Sequence, residues 1–124
     1  MRAAVPDRSR VAHGRWAEDL VARRYERDGW RVLDRRWRVR GGELDLVVAR
    51  GPLVAFVEVK ARRRASHGSP FEAVTATKQR RLRAAAAAWL ARRRDAHGIG
   101  PAVRLRFDVA AVTGARVEVR EAAF

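Results

Sequence analysis

The chain has 124 residues, 48% hydrophobic and 34% charged, which fits one domain with a single modest core and excludes a disordered polymer. It contains no cysteine, which excludes disulfides and thiolate metal sites, and its 28 Lys+Arg against 14 Asp+Glu leave a net charge of +14. That surplus points to a polyanionic partner, nucleic acid first, although arginine and alanine dominate even where lysine would serve, so part of it is compositional.

Residues 1–9 read as a flexible basic lead-in, and 10–124 as one folded domain. Met1 to Pro6 lacks the apolar core of a signal peptide, and no apolar run approaches the ~20 residues of a membrane span, so a cytoplasmic protein with no membrane partner is expected. A helix is expected from Arg10 or His13 to Asp28, with Gly29 as its stop. Trp16, Ala17, Leu20, Val21 and Tyr25 form its apolar stripe. Glu18 falls at the border of that stripe, where it is either an extra metal ligand or a rim residue paired with an arginine. Trp30 to Trp37 then reads as a strand with Trp30, Val32 and Asp34 on one face and Arg31, Leu33 and Arg35 on the other. Arg36, Arg38 and Arg40 lead into Gly41-Gly42, a pair that permits a tight turn, and these arginines either grip phosphates or form a solvated connector.

Two apolar runs, Leu44 to Ala49 and Leu53 to Val59, flank Arg50-Gly51-Pro52 and predict a hairpin. By alternation Glu43, Asp45 and Val47 share one face, Leu44, Leu46 and Val48 the other, and Phe56, Glu58 and Lys60 share a face of the second strand. A short turn then sets Asp45 opposite or diagonal to Glu58 and Glu43 near Lys60, with cross-strand Cβ atoms about 5 Å apart. Clustered carboxylates repel unless a cation neutralises them, and hard oxygen donors of this kind suit Mg²⁺ or Mn²⁺. A lysine beside them serves the attacking water and offsets phosphate charge. The bland alternative is an interstrand ion-pair cluster, worth only about 0–1 kcal/mol when exposed.

After Lys60 the basic stretch with Arg62, Arg63 and Arg64 is placed to track a nucleic-acid strand. Ser69 and Glu72 have capping-box spacing around Pro70, and Thr75 offers a second start for a helix running to about Arg94. Lys78, Leu82, Ala85, Ala86 and Trp89 form its inner face, where Lys78 either contacts the scissile phosphate or snorkels over apolar surface. Arg92, Arg93 and Arg94 complement the dipole at its end. Val103 to Thr113 reads as a strand in which Leu105, Phe107, Val109 and Ala111 alternate with Arg104, Arg106 and Asp108. Asp108 is read as structural, paired with an arginine on a neighbouring strand. Arg116 to Arg120 is an edge strand, and Phe124 is expected to fold back onto the core. The order of elements predicts an α/β domain with a mixed central sheet flanked by helices.

Asp45 followed by Glu58-Val59-Lys60 resembles the Asp…Glu-x-Lys signature of the PD-(D/E)XK, restriction-endonuclease-like nucleases. Four blocks in order resemble the YraN family of small bacterial proteins, related in fold to Holliday junction resolvases. They are Gly14 to Glu18, Gly42 to Asp45, Phe56 to Lys60 and Arg106 to Val109. The resemblance implies a restriction-endonuclease-like fold and a metal-dependent endonuclease acting on DNA, more than RNA, branched or single-stranded. In it Asp45 and Glu58 would hold the metal, Lys60 would serve water and phosphate, and Glu18, Glu43 and Lys78 would assist. Resolvase similarity implies a homodimer. Two other classes stand beside it: a non-catalytic DNA- or RNA-binding protein with a vestigial site, and a purely structural interaction protein.

Overall fold

A computed structural model describes residues 8–62 and 74–124, with side chains described from residue 14. Most of the lead-in, Arg63 and Arg64, and the Ser69–Glu72 capping box lie outside the described residues. The elements are α1 (Arg8–Arg27), β1 (Arg31–Val39), β2 (Gly42–Arg50), β3 (Leu53–Arg62), α2 (Ala76–Arg93), β4 (Arg104–Thr113) and β5 (Arg116–Arg120). The five strands form one sheet in sequence order. All neighbours are antiparallel except β3 and β4, which run parallel and are joined through α2, as a parallel pair requires a long crossover. This is the expected mixed α/β sheet flanked by helices, consistent with a restriction-endonuclease-like fold. No helix among the described residues is long and apolar enough to cross a membrane.

Each helix covers one face. Ala17, Val21, Ala22 and Tyr25 of α1 pack with Trp30, Leu46, Val48, Ala55, Val57, Ala110 and Val112. Leu82, Ala85, Ala86 and Trp89 of α2 pack with Leu44, Val47, Ala49, Val54, Phe56 and Phe107 on the other face. Sheet residues buried on both sides explain why β2 and β3 read as continuous apolar runs. α2 starts where the second expected cap places it: the Thr75 hydroxyl accepts from the Lys78 N–H at 3.1 Å. Phe124 stacks on Phe107, ring centroids 5.1 Å apart, which folds the C-terminus onto the α2 layer as expected.

Several expectations need correction. Helix α1 begins at Arg8, and Trp16 remains 42% exposed while Ala22 takes a place in the core. Leu105 is 46% exposed rather than buried. In β1 the register shifts between Val32 and Asp34. This bulge turns Asp34 to the α2 side, where its carboxylate accepts from Trp89 Nε1 at 3.0 Å and pairs with Arg93 at 3.2 Å, while Val32 stays on the α1 side with Trp30. The buried Asp108 is structural, yet its arginine is on its own strand. Arg106 grips it at 2.8 and 2.9 Å, and the Tyr25 hydroxyl (2.7 Å) and the Ala122 N–H (3.1 Å) complete its partners. Burial and the adjacent Asp108 push the Tyr25 phenol well above its ordinary pKa, so it donates at every ordinary pH.

Candidate active site at the open end of the hairpin

The β2–β3 hairpin pairs from Arg50↔Leu53 to Leu46↔Val57 and then stops. Continuing that register would set Asp45 opposite Glu58, the placement the sequence predicts. Instead of a further backbone pair, the Asp45 side chain accepts the Val59 N–H at 2.8 Å. On the other flank of Asp45, the opposing β1 residue is Arg36, a non-glycine with φ of 48°. That left-handed conformation costs roughly 1–2 kcal/mol for an L-residue. Alternation also fails here, since Leu44 packs in the α2 layer with Val47 whereas Leu46 packs under α1. The expected shared face of Leu44, Leu46 and Val48 is therefore corrected: the chain kinks at Asp45.

A cleft of about 540 Å³ opens at this kink, lined by Gly41, Gly42, Glu43, Asp45 and Glu58 from the sheet and by Thr75, Thr77, Lys78, Arg81 and Leu82 from α2. Gly42 lets the β1–β2 turn approach the helix, because a Cβ there would lie 3.3 Å from Ala85 Cβ and 3.4 Å from Arg81 O. Lys78 Nζ meets Glu58 Oε1 at 2.7 Å, so the predicted helical lysine does reach the predicted strand glutamate. Lys60 is half-buried on the same strand as Glu58. Burial, then the neighbouring Lys78, holds its amine below the usual lysine range, only partly offset by Glu58.

Asp45 is the most perturbed acid. Burial first, and then the nearby Glu58, push its carboxyl up to about 8 against the lowering effect of the Val59 N–H, with Glu18 and Glu43 adding smaller repulsions. All four predicted acids thus act on one point. Their immediate partners differ. Glu18 Oε2 lies 2.9 Å from Arg36 Nε, yet that buried oxygen has no hydrogen-bond partner. Burial raises its pKa and Arg36 offsets the rise. Glu43 sits 3.8 Å from Arg38, its opposite on β1, rather than against Lys60 as expected.

The donor set fits a hard divalent cation: the cleft's acids offer oxygen donors only, and one of them is a carboxyl that would be ionised by a cation. Among the described residues no three acids stand close enough to enclose an ion unaided, so a bound ion would draw the rest of its shell from water and phosphate. Arg38 and Arg40 flank the cleft through the turn that ends in Gly41, and Arg62 closes β3 beyond Lys60. Arg81 and Thr77 line the cleft with no motif in the sequence to mark them, and Thr75 is marked there only as a helix start. Arg81 stands three residues from Lys78, one helical turn along the same face, and that spacing was the available signal.

Comparison with known proteins follows the same blocks. The model of uncharacterised protein family UPF0102 matches residues 17–112. A UPF0102 protein of Rhodococcus opacus is 47% identical over 102 residues, 82% of each chain. One from Rhodococcus jostii is 48% identical over 102 residues with the same coverage, and one from Geobacter sulfurreducens is 48% identical over 96 residues, 77% of this chain and 71% of its own. The match begins at Ala17 in α1 and ends at Val112 in β4, so it takes in every acid of the cleft and Lys78, together with Glu18 and Lys60, which do not line it. The chain belongs to uncharacterised protein family UPF0102, the YraN family that its four sequence blocks resemble.

Proposed function

We propose that the chain is a metal-dependent nuclease, an endonuclease hydrolysing phosphodiester bonds in DNA, with branched or single-stranded DNA as the substrate class. The observation that carries this reading is the meeting of Asp45, Glu58 and Lys78 in one cleft where β2 and β3 stop pairing. Stability alone does not favour two acids there. Asp45 and Glu58 would hold Mg²⁺ or Mn²⁺, with Glu18 and Glu43 near enough to adjust its charge. Such an ion supplies Lewis-acid polarisation of the phosphate and a more acidic bound water.

The chain's own residues do the rest. Lys60, its amine held below the usual range, is suited to orient the attacking water and pass a proton at Nζ. Lys78, paired with Glu58 at the edge of the cleft, would be free to set its ammonium against the phosphate oxygens if a cation took over that carboxylate. Arg38, Arg40, Arg62, Arg63 and Arg64 position the nucleic-acid backbone without reading its sequence. The Asp45 oxygen that accepts the Val59 N–H fixes the carboxylate's direction before substrate arrives.

The second reading, a nucleic-acid-binding protein with a vestigial site, rests on the ion pairs Lys78–Glu58 and Arg36–Glu18 and the looser, exposed Arg38–Glu43, which pair three of the four acids internally. One assay separates the two. Purified chain is incubated with a panel of single-stranded, flapped and branched DNA and matching RNA, with and without Mn²⁺, beside Asp45→Asn. Cutting that needs the metal and disappears in the variant supports the nuclease. Binding without cutting of any substrate in the presence of Mn²⁺ overturns it.

A further inference from the structure

On the α1 side of the sheet lies a second cleft, of about 310 Å³, lined by Leu20, Arg23, Arg24, Arg27, Ala115 and Val117. Three of its six lining side chains are guanidinium groups, on one stretch of α1. Arg24 is fixed in place: its Nη1 donates to Val117 O at 3.3 Å and its Nε to Asp28 at 3.2 Å. Arg23 and Arg27 are exposed and make no ion pair among the described residues. The floor is apolar, from Leu20, Ala115 and Val117, so the charges stand beside low-dielectric surface that strengthens their field.

The position of this cleft gives it a meaning. β4 runs parallel to β3, and Lys60↔Ala111 and Arg62↔Thr113 are paired. Thr113 in turn pairs with Arg116, so the Gly114–Ala115 turn at the mouth of the arginine cleft stands at the same end of the sheet as the acidic cleft. The acidic cleft opens on the α2 face and the arginine cleft on the α1 face, so a strand joining them rounds this end of the sheet, across two strand spacings of about 10 Å and from one face to the other. That path takes more than the roughly three phosphates that the in-plane distance alone would span at about 3.4 Å each.

We propose that the Arg23–Arg24–Arg27 cleft is a second phosphate-backbone site, gripping the nucleic acid several nucleotides from the reacting bond. It rests on the nuclease reading of the acidic cleft, and supplies the leverage that a small cleft lacks by itself. A strand leaving the acidic cleft passes Lys60 and Arg62, crosses the β4–β5 turn and meets Arg23 and Arg27, with Arg24 holding the wall. Substrates long enough to reach both clefts bind better than those that fill one.

The test is the double variant Arg23→Ala/Arg27→Ala, which leaves the anchoring Arg24 intact, read by fluorescence anisotropy on a 20-base-pair duplex and a four-nucleotide strand. Arg31→Ala/Arg104→Ala removes the same charge from exposed positions at the opposite end of the sheet and serves as the control. The expected result is about tenfold weaker duplex binding, a salt slope shallower by about 2, and less than a twofold change for the short strand. Arg23→Lys/Arg27→Lys recovers most of the affinity. An unchanged slope for the Ala pair, or an equal loss in the control pair, overturns the second site while leaving the acidic cleft untouched. Wild type that binds no DNA of either length at low salt overturns the nuclease reading, and this proposal with it. Thermal melts of all variants identify a loss caused by unfolding, in which case the Lys pair decides.

Discussion

Replacing Asp45 by asparagine should stabilise the metal-free protein. The Asp45 carboxyl titrates at 3.8 when unperturbed and is held up to about 8 in the fold, first by burial and then by Glu58. Between those values the folded chain keeps a proton that the unfolded chain releases. Stability is therefore full below pH 4, falls as pH rises, and levels off above about 8. At pH 7 the unfolded chain gains about 4 kcal/mol by that release, at ~1.4 kcal/mol per pH unit. Asparagine has no such proton to lose, and its amide oxygen still accepts the Val59 N–H. In EDTA, Asp45→Asn should gain about 2–4 kcal/mol at pH 7 in urea unfolding, and nothing at pH 4. Mn²⁺ should then raise the melting temperature of wild type and leave the variant unmoved, because only a carboxylate profits from the cation. A variant less stable than wild type at pH 7, or a gain equal at pH 4 and pH 7, would refute the electrostatic account.

Three other outcomes follow from contacts already described. Asp108→Ala leaves the Tyr25 hydroxyl and Arg106 without their shared acceptor and should cost about 3–5 kcal/mol in urea unfolding; a loss under 1 kcal/mol would mean that water takes the place of the carboxylate. Gly42→Val forces its side chain against Ala85 and the Arg81 carbonyl and should cost about 1–3 kcal/mol, with DNA cutting reduced as α2 moves from the sheet. Lys78→Ala leaves the Glu58 carboxylate, only 11% exposed, without its cation, so urea unfolding should show a loss of about 1–3 kcal/mol while cleavage falls at least about 100-fold; intact cleavage would remove Lys78 from the machinery.

The fold was legible where period decided it. Arg50-Gly51-Pro52 between two apolar runs fixed the hairpin and its register, and so the Asp45–Glu58 juxtaposition. Thr75 with a helix-favouring run behind it fixed α2 and the buried face of Leu82, Ala85, Ala86 and Trp89. What alternation could not show were its own interruptions. The bulge at Val32/Asp34 and the left-handed Arg36 change which side a residue faces without any Gly or Pro to mark them. Trp16 and Leu105 misled for a related reason: an apolar side chain at helical or strand spacing is buried only if another layer lies over it, and both lie beyond the layers.

The same irregularity explains why acids are tolerated at the heart of an apolar hairpin. A carboxylate on a regular inner strand would be desolvated with nothing to bond, whereas Asp45 sits where the ladder has ended and a backbone donor needs an acceptor. One of its oxygens does the work of the missing strand carbonyl, on a side chain that also lines the cleft. The kink at Arg36 places a guanidinium against Glu18, which stays within electrostatic reach of Asp45 without lining the cleft. Function and fold therefore compete for one side chain at Asp45: its oxygen holds the sheet edge together, while its charge works against the fold until a cation arrives.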